Sequence, residues 1–589
     1  MTNDKIIEIP NKKKKFLITH FHKLNYPNGS YLVFIDEFLF NLYTKHEKKI
    51  YICSYVHNIG DVIKIRNSTN SIVKKKLYIY RKKIRELLNY YHKNNNSEKY
   101  WGLIIDKFLI ILLKSIIKEI KLYENIKIND FHKIDVSVKQ KFFNDIETLE
   151  SYVHSDDFRN LLSSLVLKEI NKNFVKFKYI SINRDLDENI INKYPFFVKF
   201  SIKLYIFLFK PILIINGHIG LINTLKFFLR SFGKIINVPE KLFFDKLYNN
   251  NFLDLGFRKN IKINKNKKNT VDIIFNKIVY NLLPKNYLEN FNLIKRDIIK
   301  ISKKVKVIGT GNCHYFSDHF NILASEILKS KKGKFVIFQH GGAISKTKDI
   351  ALEYLDQKYA SKKYYFDNKE GLGMHFFRGK KISPEEIKNR NDILILNTLT
   401  TFENSYFLQS SRYAHLDPSL VFYSKLNKFN KKKVFLKLFP ENNSFQIKNI
   451  WFRKFSNKIN FLPIYSSAIK SKFYKAKLVI LNDISTALWE LIYIGIPFIL
   501  ICDKNIFSAW QYKNSFYKKI IPLKKINVLF DDPLKAADFV NSLNKDCLID
   551  NWWLNISKMD EFLDFKNFLI VEKPNYISRI VKNLKNLNK

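Results

Sequence analysis

AKLVILNDISTALWELIYIGIPFILIC, residues 476–502, joins an apolar run, a polar junction, a helical stretch and a second apolar run. The first run is short and rich in branched residues, which is typical of a buried strand. It ends at Asn482, Ser485 and Thr486 stand where a helix would begin, and Gly495 stands where it would end. This order predicts a strand–helix–strand unit and therefore a parallel sheet.

The same alternation recurs on both sides of this stretch. KVKVIGTG, DHFNILASEILKS and KFVIFQHGG precede it as strand, helix and strand, and DILILNT and KKVFLKLF supply further strands. We therefore predict an α/β protein with two facing Rossmann-like domains and a cleft between them. The expected domains cover residues 1–368 and 391–589 and are joined by a linker at 369–390; the N-terminal domain contains a largely helical insertion at about 71–257.

The composition limits the possible classes of protein. A chain of 589 residues is too long for one core, and its hydrophobic fraction of 46% is ordinary for globular proteins. The formal net charge of +49 predicts attraction to anions, although part of the lysine excess is typical of AT-rich codon usage. Four isolated cysteines favour a reduced cytosolic protein without structural zinc. With no secretory signal and no clean apolar run of about 20 residues, we expect a soluble or peripheral protein.

The junction after the strand at 476–481 is the first candidate site. Ser485 and Thr486 offer hydroxyls beside the free N–H groups of a helix N-terminus, which suits a phosphate or diphosphate. Glu490 lies within an otherwise apolar helix, where its carboxylate could bind ribose hydroxyls. We expect Asn482 and Lys437, each near a strand end, to complete a nucleotide site. The alternatives are an ordinary helix cap at Ser485 and a water-facing edge lysine at Lys437.

A second candidate site follows the strand FVIF. Gln339, His340, Gly341 and Gly342 stand at its end, and two adjacent glycines let a backbone approach a ligand closely. Asn312, in the loop GTGNCHY, offers a further hydrogen-bonding group. These residues also fit an ordinary turn.

Glu353 and Asp356 come a dozen or more residues after the glycines. Their spacing of three places both carboxylates on one face of a helix. If that face meets His340, these three side chains are candidate general bases, and which of them acts as the base stays open. The alternative is a solvated helix face.

The order of these motifs resembles a bacterial family of transferases encoded in O-antigen and other surface-polysaccharide gene clusters. The matching stretches include FVIFQHGG, KLFPEN, NDISTALWELIYIGIPFIL and DNWWLN, together with FLITHFHKLNYPNGSYLVFIDEFLF and SEKYWGLIIDKFLI in the N-terminal half. The resemblance covers nearly the whole chain. After the two glycines this chain has Ala343, Ile344 and Ser345, where members of the family commonly have Gly-Tyr-Gly, so different acceptor contacts are expected.

That family is similar to the GT-B glycosyltransferases, and more distantly to capsule Kdo transferases and polyglycerol-phosphate polymerases. The resemblance implies a GT-B-like fold with the nucleotide sugar on the C-terminal domain and the acceptor on the His340 side. The implied reaction transfers a sugar to a lipid-linked or polysaccharide acceptor of O-antigen or lipopolysaccharide synthesis. It would take place in the cytoplasm or at the anionic inner-membrane surface.

A metal-independent glycosyltransferase is therefore the leading hypothesis, with the nucleotide sugar as substrate and no separate cofactor. No Asp-x-Asp stands at a strand end, so no metal is expected. A phosphotransferase or an epimerase on the same scaffold is an alternative, because fold does not fix the reaction. A basic nucleic-acid-binding protein is a weaker one, because the lysines are spread over the whole chain and no specific nucleic-acid motif occurs.

Overall fold

A computed structural model describes most of the chain. The described residues are 15–18, 31–36, 52–124, 126–127, 134–139, 141–153, 156–171, 175–180, 196–244, 252–261, 269–341, 346, 351–366, 381–388, 390–397, 418–438, 451, 454–455, 459–462, 475–482, 484–502, 513–543, 548–570 and 575–588.

Sixteen strands in these ranges form four sheets, and every strand pair in them is parallel. The strands are β1 Lys15–Ile18, β2 Tyr31–Asp36, β3 Ile52–His57, β4 Ile134–Lys139, β5 Val175–Ile180, β6 Ile212–Ile215, β7 Ile235–Val238, β8 Val307–Thr310, β9 Lys334–Phe338, β10 Lys362–Tyr364, β11 Asp392–Asn397, β12 Val434–Leu438, β13 Asn460–Phe461, β14 Ala476–Leu481, β15 Phe498–Ile501 and β16 Leu529–Phe530.

The helices alternate with these strands, as a parallel sheet requires. They are α1 Ile59–Tyr91, α2 Glu98–Tyr123, α3 Ile146–Val153, α4 Asp156–Ile170, α5 Phe196–Phe209, α6 Leu221–Ser231, α7 Glu240–Phe243, α8 Leu255–Lys259, α9 Thr270–Leu282, α10 Phe291–Ser302, α11 Cys313–Phe316, α12 Asp318–Leu328, α13 Ala351–Tyr359, α14 Pro384–Lys388, α15 Lys428–Lys432, α16 Thr486–Ile494, α17 Asn514–Ile520, α18 Pro533–Ser542, α19 Leu548–Ile556, α20 Asp560–Leu569 and α21 Tyr576–Asn588.

Two larger sheets carry the architecture. The N-terminal one has the strand order β10-β9-β8-β6-β7, and the C-terminal one has the order β13-β12-β11-β14-β15-β16. The strands at 212–215, 307–310 and 498–501 are buried at every position, because helices cover both faces of a parallel sheet. The predicted α/β class with parallel sheets is confirmed. The domain boundaries remain a prediction, and residues 369–380 of the expected linker lie outside the described ranges.

Alternate residues of β6 enter two different cores. Leu213 and Ile215 face the first core, which contains the buried faces of α1, α2, α9, α10 and α12. Ile212 and Ile214 face the second core, which also contains strands of the C-terminal sheet and helices α16, α20 and α21. One continuous apolar core is therefore shared by the two larger sheets.

The last helix crosses back to the N-terminal sheet. Helix α21 packs against α6 and reaches β8, and the guanidinium of Arg230 donates a hydrogen bond to the hydroxyl of Ser578. One face of the N-terminal sheet is therefore covered by helices that are near it in the sequence. The other face is covered in part by α21, the last helix of the chain.

Helix α2 is buried along most of its length and shows how charged side chains are tolerated in the first core. Asp106 is fully buried and accepts hydrogen bonds from Arg81 and Tyr359, while Lys107 is bonded to Glu150. Paired charges of this kind avoid the desolvation cost of an isolated buried ion. Among the described residues, no helix combines the length and apolar character needed to cross a bilayer.

The structure adds strands to the stretch predicted to be mainly helical. Within residues 71–257, β4 and β5 form a two-stranded sheet, and β6 and β7 belong to the N-terminal sheet. In the sequence, β6 has only four residues and directly follows the apolar helix α5, so the two merge into one apolar run. Near residue 532, Asp532 caps α18 by accepting a hydrogen bond from the N–H of Leu534.

Candidate functional site

Polar segments follow three adjacent strands of the N-terminal sheet. Residues 216–218 come after β6, residues 311–314 after β8 and residues 339–341 after β9. The carboxyl ends of parallel strands meet at one edge of the sheet, which is where ligands bind in open α/β folds. Three histidines, at positions 218, 314 and 340, therefore come together although more than 120 residues separate the first from the last.

His340 lies at the centre of this group. Its ring centroid is 5.8 Å from that of His218 and 5.5 Å from that of Tyr315. Its Nδ1 is buried and has no hydrogen-bond partner among the residues that the structure describes. The pKa of His340 is lowered to about 3, mainly by burial and further by the neighbouring His218 and His314, against the smaller opposing effects of the Asp356 carboxylate and the Gly311 carbonyl. The ring is therefore neutral at physiological pH and presents a free nitrogen.

Asp356 on α13 is fully buried and holds His314 and Tyr315, two side chains next to His340. Its Oδ1 accepts from Nε2 of His314 at 2.7 Å and from the hydroxyl of Tyr315 at 2.6 Å, and its Oδ2 accepts from Tyr365 at 3.0 Å. Burial lowers the pKa of His314 despite this carboxylate, and its Nδ1 is buried without a partner in the described part of the chain. Asp356 does not lie on a solvated face, and its hydrogen bonds orient His314 and Tyr315.

The backbone around His218 is held in an uncommon conformation. Asn216 and His218 have φ angles of 47° and 53°, a left-handed region that non-glycine residues adopt rarely. The N–H of Gly311 donates to the carbonyl of Asn216, and a Cβ atom at Gly311 would stand 2.7 Å from Cδ2 of His218. Only glycine at 311 allows the two strand ends to approach this closely.

The sequence prediction missed His218 entirely. Its signal is Asn-Gly-His directly after the four apolar residues of β6, which follow the apolar helix α5 so closely that no separate strand stands out. A strand end followed by Asn-Gly is a turn signal that could have placed His218 at the sheet edge.

The other residues that the sequence predicted for this edge are Gln339, Asn312, Gly341, Gly342 and Glu353. Both ends of the Gln339 amide bond to backbone: Nε2 donates to the carbonyl of Gly341 and Oε1 accepts from the N–H of Phe366, each at 2.7 Å. Gln339 therefore shapes the turn that presents His340. Asn312 precedes α11, and its half-buried side chain makes no capping hydrogen bond there. Gly342 and the side chain of Glu353 lie outside the described residues.

Lys437 and Asn482 lie at the carboxyl edge of the C-terminal sheet. Leu396 on β11 lies between them in the register: it pairs with Lys437 on β12 and with Leu481 on β14, and Leu481 directly precedes Asn482. Two strand spacings put Lys437 and Leu481 roughly 10 Å apart. Lys437 is 6% exposed and β12 is an interior strand, so the alternative of a water-facing edge lysine is wrong. Burial lowers the pKa of Lys437.

The helix after β14 begins where the sequence predicted. Ser485 is the residue before the first turn of α16, yet its side chain makes no capping hydrogen bond. Its Oγ is buried and has no partner among the described residues. Thr486 and Glu490, four positions apart, lie on one face of the helix and are half-buried. The ordinary capping interaction is therefore absent from Ser485, whose hydroxyl remains available.

The structure thus forms two groups at two sheet edges, and Lys346 connects the segment near the first group to the C-terminal half of the chain. Lys346, six residues after His340, accepts through its carbonyl a hydrogen bond from the N–H of Lys513, and its ammonium lies 4.3 Å from the ring centroid of Phe568. The segment that follows His340 therefore touches the C-terminal half of the chain. Among the described residues, no group of three or more His, Cys, Asp or Glu is arranged to hold a metal ion.

Comparison with known proteins identifies the family of the chain. No curated protein matches the chain. The profile described as LIC12162 family transferase matches residues 15–560, which include every strand named above and both groups of candidate residues. The chain therefore belongs to the LIC12162 family of transferases.

Proposed function

We propose that this transferase is a glycosyltransferase that moves a sugar from a nucleotide-activated donor to an O-antigen, lipopolysaccharide or other surface-polysaccharide intermediate. The observation that carries the proposal is the neutral, partnerless Nδ1 of His340, which lies beside His218 and Tyr315 at the carboxyl edge of a parallel sheet. A transferase that acts on a hydroxyl uses a base to take the hydroxyl proton, and the free nitrogen of a neutral imidazole is suited to this role.

In the proposed reaction the acceptor hydroxyl lies against His340. Nδ1 takes the hydroxyl proton while the acceptor oxygen forms a bond to the anomeric carbon of the donor. The bond between that carbon and the phosphate oxygen breaks, and the nucleotide leaves with the electron pair. An anionic donor beside His340 raises the pKa of the imidazole, because nearby negative charge favours its protonated form. The base therefore becomes stronger when the donor is present.

The proposed donor site is the carboxyl edge of the C-terminal sheet. The N–H groups of the first turn of α16 and the hydroxyl of Ser485 face the leaving phosphate, and Lys437 supplies positive charge. Glu490 binds the ribose hydroxyls. The contact between Lys346 and Lys513 supports this division, since it keeps Lys346, six residues after His340, beside the half of the chain that contains α16.

The test measures donor binding and transfer separately. Purified protein is titrated with CMP-, CDP-, UDP- and GDP-sugars, and products formed with a lipid-linked acceptor are analysed by mass spectrometry. Glu490→Ala should weaken donor binding, whereas Glu561→Ala, a half-buried glutamate on α20, should not. His340→Gln should retain donor binding and lower the transfer rate by about 10²- to 10⁴-fold.

The proposal fails if no nucleotide sugar binds or is consumed, or if His340→Gln transfers as fast as the wild type. Transfer of a phosphate-containing group or inversion of a sugar centre in the product would instead identify a phosphotransferase or an epimerase. Because nucleotide sugars are cytoplasmic substrates, the proposed place of action is the cytoplasm or the cytoplasmic face of the inner membrane.

A further inference from the structure

The segment that contains α5 and α6 exposes a large amount of apolar surface. Of the 24 large hydrophobic side chains that are exposed in the described part of the chain, seven lie on α5 and six on α6 or directly after it. The 13 residues are Phe197, Val198, Phe200, Leu204, Phe207, Leu208, Phe209, Leu221, Ile222, Leu225, Phe228, Leu229 and Phe232. We call these residues the apolar patch. More than half of the exposed apolar side chains thus fall within 36 residues.

The exposed residues of α6 follow helical spacing. Leu221, Leu225, Phe228 and Phe232 are separated by four, three and four positions, so they form one stripe along the helix. The opposite, buried stripe contains only Asn223, Phe227 and Ser231. An amphipathic helix of a globular protein normally turns its apolar stripe to the core; α6 turns most of its own to solvent.

Phe232 is the most exposed of these side chains, at 87%. It stands at the end of α6 with a φ of 56°, in the left-handed conformation that this position usually gives to glycine. A bulky aromatic residue is unfavourable there unless its projection serves a contact.

Helices α5 and α6 form one surface. The ring of Tyr205 on α5 lies 6.3 Å from that of Phe228 on α6, and its hydroxyl donates to the carbonyl of Gly233. With relative exposures from 37% to 87%, the 13 residues together present roughly 1,000 Å² or more of apolar area. Exposed apolar patches beyond a few hundred Å² mark protein or membrane contact sites.

The charged residues within the segment of the apolar patch have one sign. No Asp or Glu occurs from residue 196 to residue 239, whereas this interval contains six basic residues: Lys199, Lys203, Lys210, Lys226, Arg230 and Lys234. Further lysines border the patch, because the ammonium of Lys304 lies 4.2 Å from the ring centroid of Phe207 and that of Lys585 lies 5.4 Å from Phe232. A second copy of the chain would bring this cationic rim against its own like charges.

We propose that the apolar patch docks the protein on an anionic phospholipid bilayer, with the aromatic and aliphatic side chains in the acyl–headgroup boundary and the lysines among the headgroups. Apolar insertion combined with basic residues is how peripheral helices bind anionic lipid. The placement also has a consequence for the site, since α6 begins three residues after His218 and β6 connects α5 to the same loop. Docking would therefore hold the histidine cluster close to the lipid surface from which a lipid-linked acceptor is presented.

The test is sedimentation of the full chain with vesicles of phosphatidylcholine containing phosphatidylglycerol, and with vesicles of phosphatidylcholine alone. We expect strong binding only to the anionic vesicles. Leu225→Glu with Phe232→Glu should weaken it on the order of tenfold or more, because it places anions in the apolar face. Leu534→Glu with Phe429→Glu, a matched pair exposed elsewhere, should leave binding unchanged.

A second variant separates docking from folding. Lys203→Gln with Lys226→Gln keeps the apolar face, and each lost charge should weaken binding to anionic vesicles about fivefold. Unchanged vesicle binding by both patch variants would refute the proposal. Absence of binding by the wild-type chain would also refute it, as would a dimer that the patch variants dissociate without any vesicle binding. The assay needs no sugar donor, so it can succeed or fail independently of the proposed glycosyl transfer.

Discussion

Asp356→Ala is the substitution whose effect follows most directly from the structure. It removes the carboxylate that accepts hydrogen bonds from His314, Tyr315 and Tyr365. His314 and Tyr315 are buried, so water does not replace the missing acceptor, whereas the half-buried Tyr365 can reach solvent.

The magnitude follows from the two buried donors. Each buried donor left without a partner costs about 1–3 kcal/mol, so Asp356→Ala should lower the free energy of local unfolding by about 4 kcal/mol. Asp356→Asn keeps an oxygen at the position shared by the two donors and loses only the charge. A hydrogen bond to a charged group stabilises the fold by about 1 kcal/mol more than a neutral one, and two such bonds lose the charge. Asp356→Asn should therefore lower the free energy of local unfolding by about 2 kcal/mol.

Hydrogen exchange followed by mass spectrometry measures this effect on peptides that cover residues 307–341. The method reports local opening even if a chain of this length does not unfold in one step. Asp538→Ala is the matched control, because it removes an exposed carboxylate 4.0 Å from Lys425. It should change the free energy of local unfolding by less than about 0.5 kcal/mol. A loss below about 1 kcal/mol for Asp356→Ala would show that the buried network around His314 does not form as described.

Three further results are expected. Burial raises the pKa of Asp318 to about 8, so the folded chain holds a proton that the unfolded chain releases, and stability should fall by up to about 1.4 kcal/mol per pH unit as pH rises from about 4 to 8. Asp318→Asn should remove this slope in thermal unfolding at pH 5 and pH 8; an unchanged slope would contradict the assignment. Gly311→Ala, whose Cβ would crowd His218, should cost about 1–3 kcal/mol and lower transfer, whereas Gly256→Ala, with its nearest contact at 3.6 Å, should change transfer little; equal transfer rates would argue against the close approach. Burial raises the pKa of Cys313 well above its usual range, so its thiol should react with alkylating reagents only after denaturation. Rapid labelling of Cys313 in the native protein, located by peptide mass spectrometry, would refute this.

The local pattern of the sequence predicts much of the fold. Short apolar runs that end in polar residues correspond to β8, β9, β11, β12, β14 and β15, and the stretch from Thr486 to Gly495 forms a helix with glycine at its left-handed end. These features depend on neighbours within a few residues, so the sequence displays them directly. For the same reason the helix N-terminus at Ser485 was predictable.

Other features depend on residues far apart in the chain. The bond between His314 and Asp356 spans 42 positions, and no spacing rule connects them. The sequence made Asp356 a candidate base on the condition that its helix face meets His340, whereas in the structure its carboxylate accepts hydrogen bonds from His314, Tyr315 and Tyr365. His218 was missed because helix α5 and strand β6 form one apolar run, in which the change from helix to strand is decided by pairing with β7 and β8.

The crossing of α21 has a consequence for the order in which the protein can be completed during translation. The N-terminal sheet is synthesised before residue 370, but Tyr576, Ile580 and Leu584 of α21 belong to the core on one of its faces. That face stays incompletely covered while about two hundred further residues are added. The nascent chain must therefore present exposed β-sheet surface to the cell for tens of seconds at ordinary synthesis rates. Binding by a chaperone during this interval would compete with the helix that arrives last.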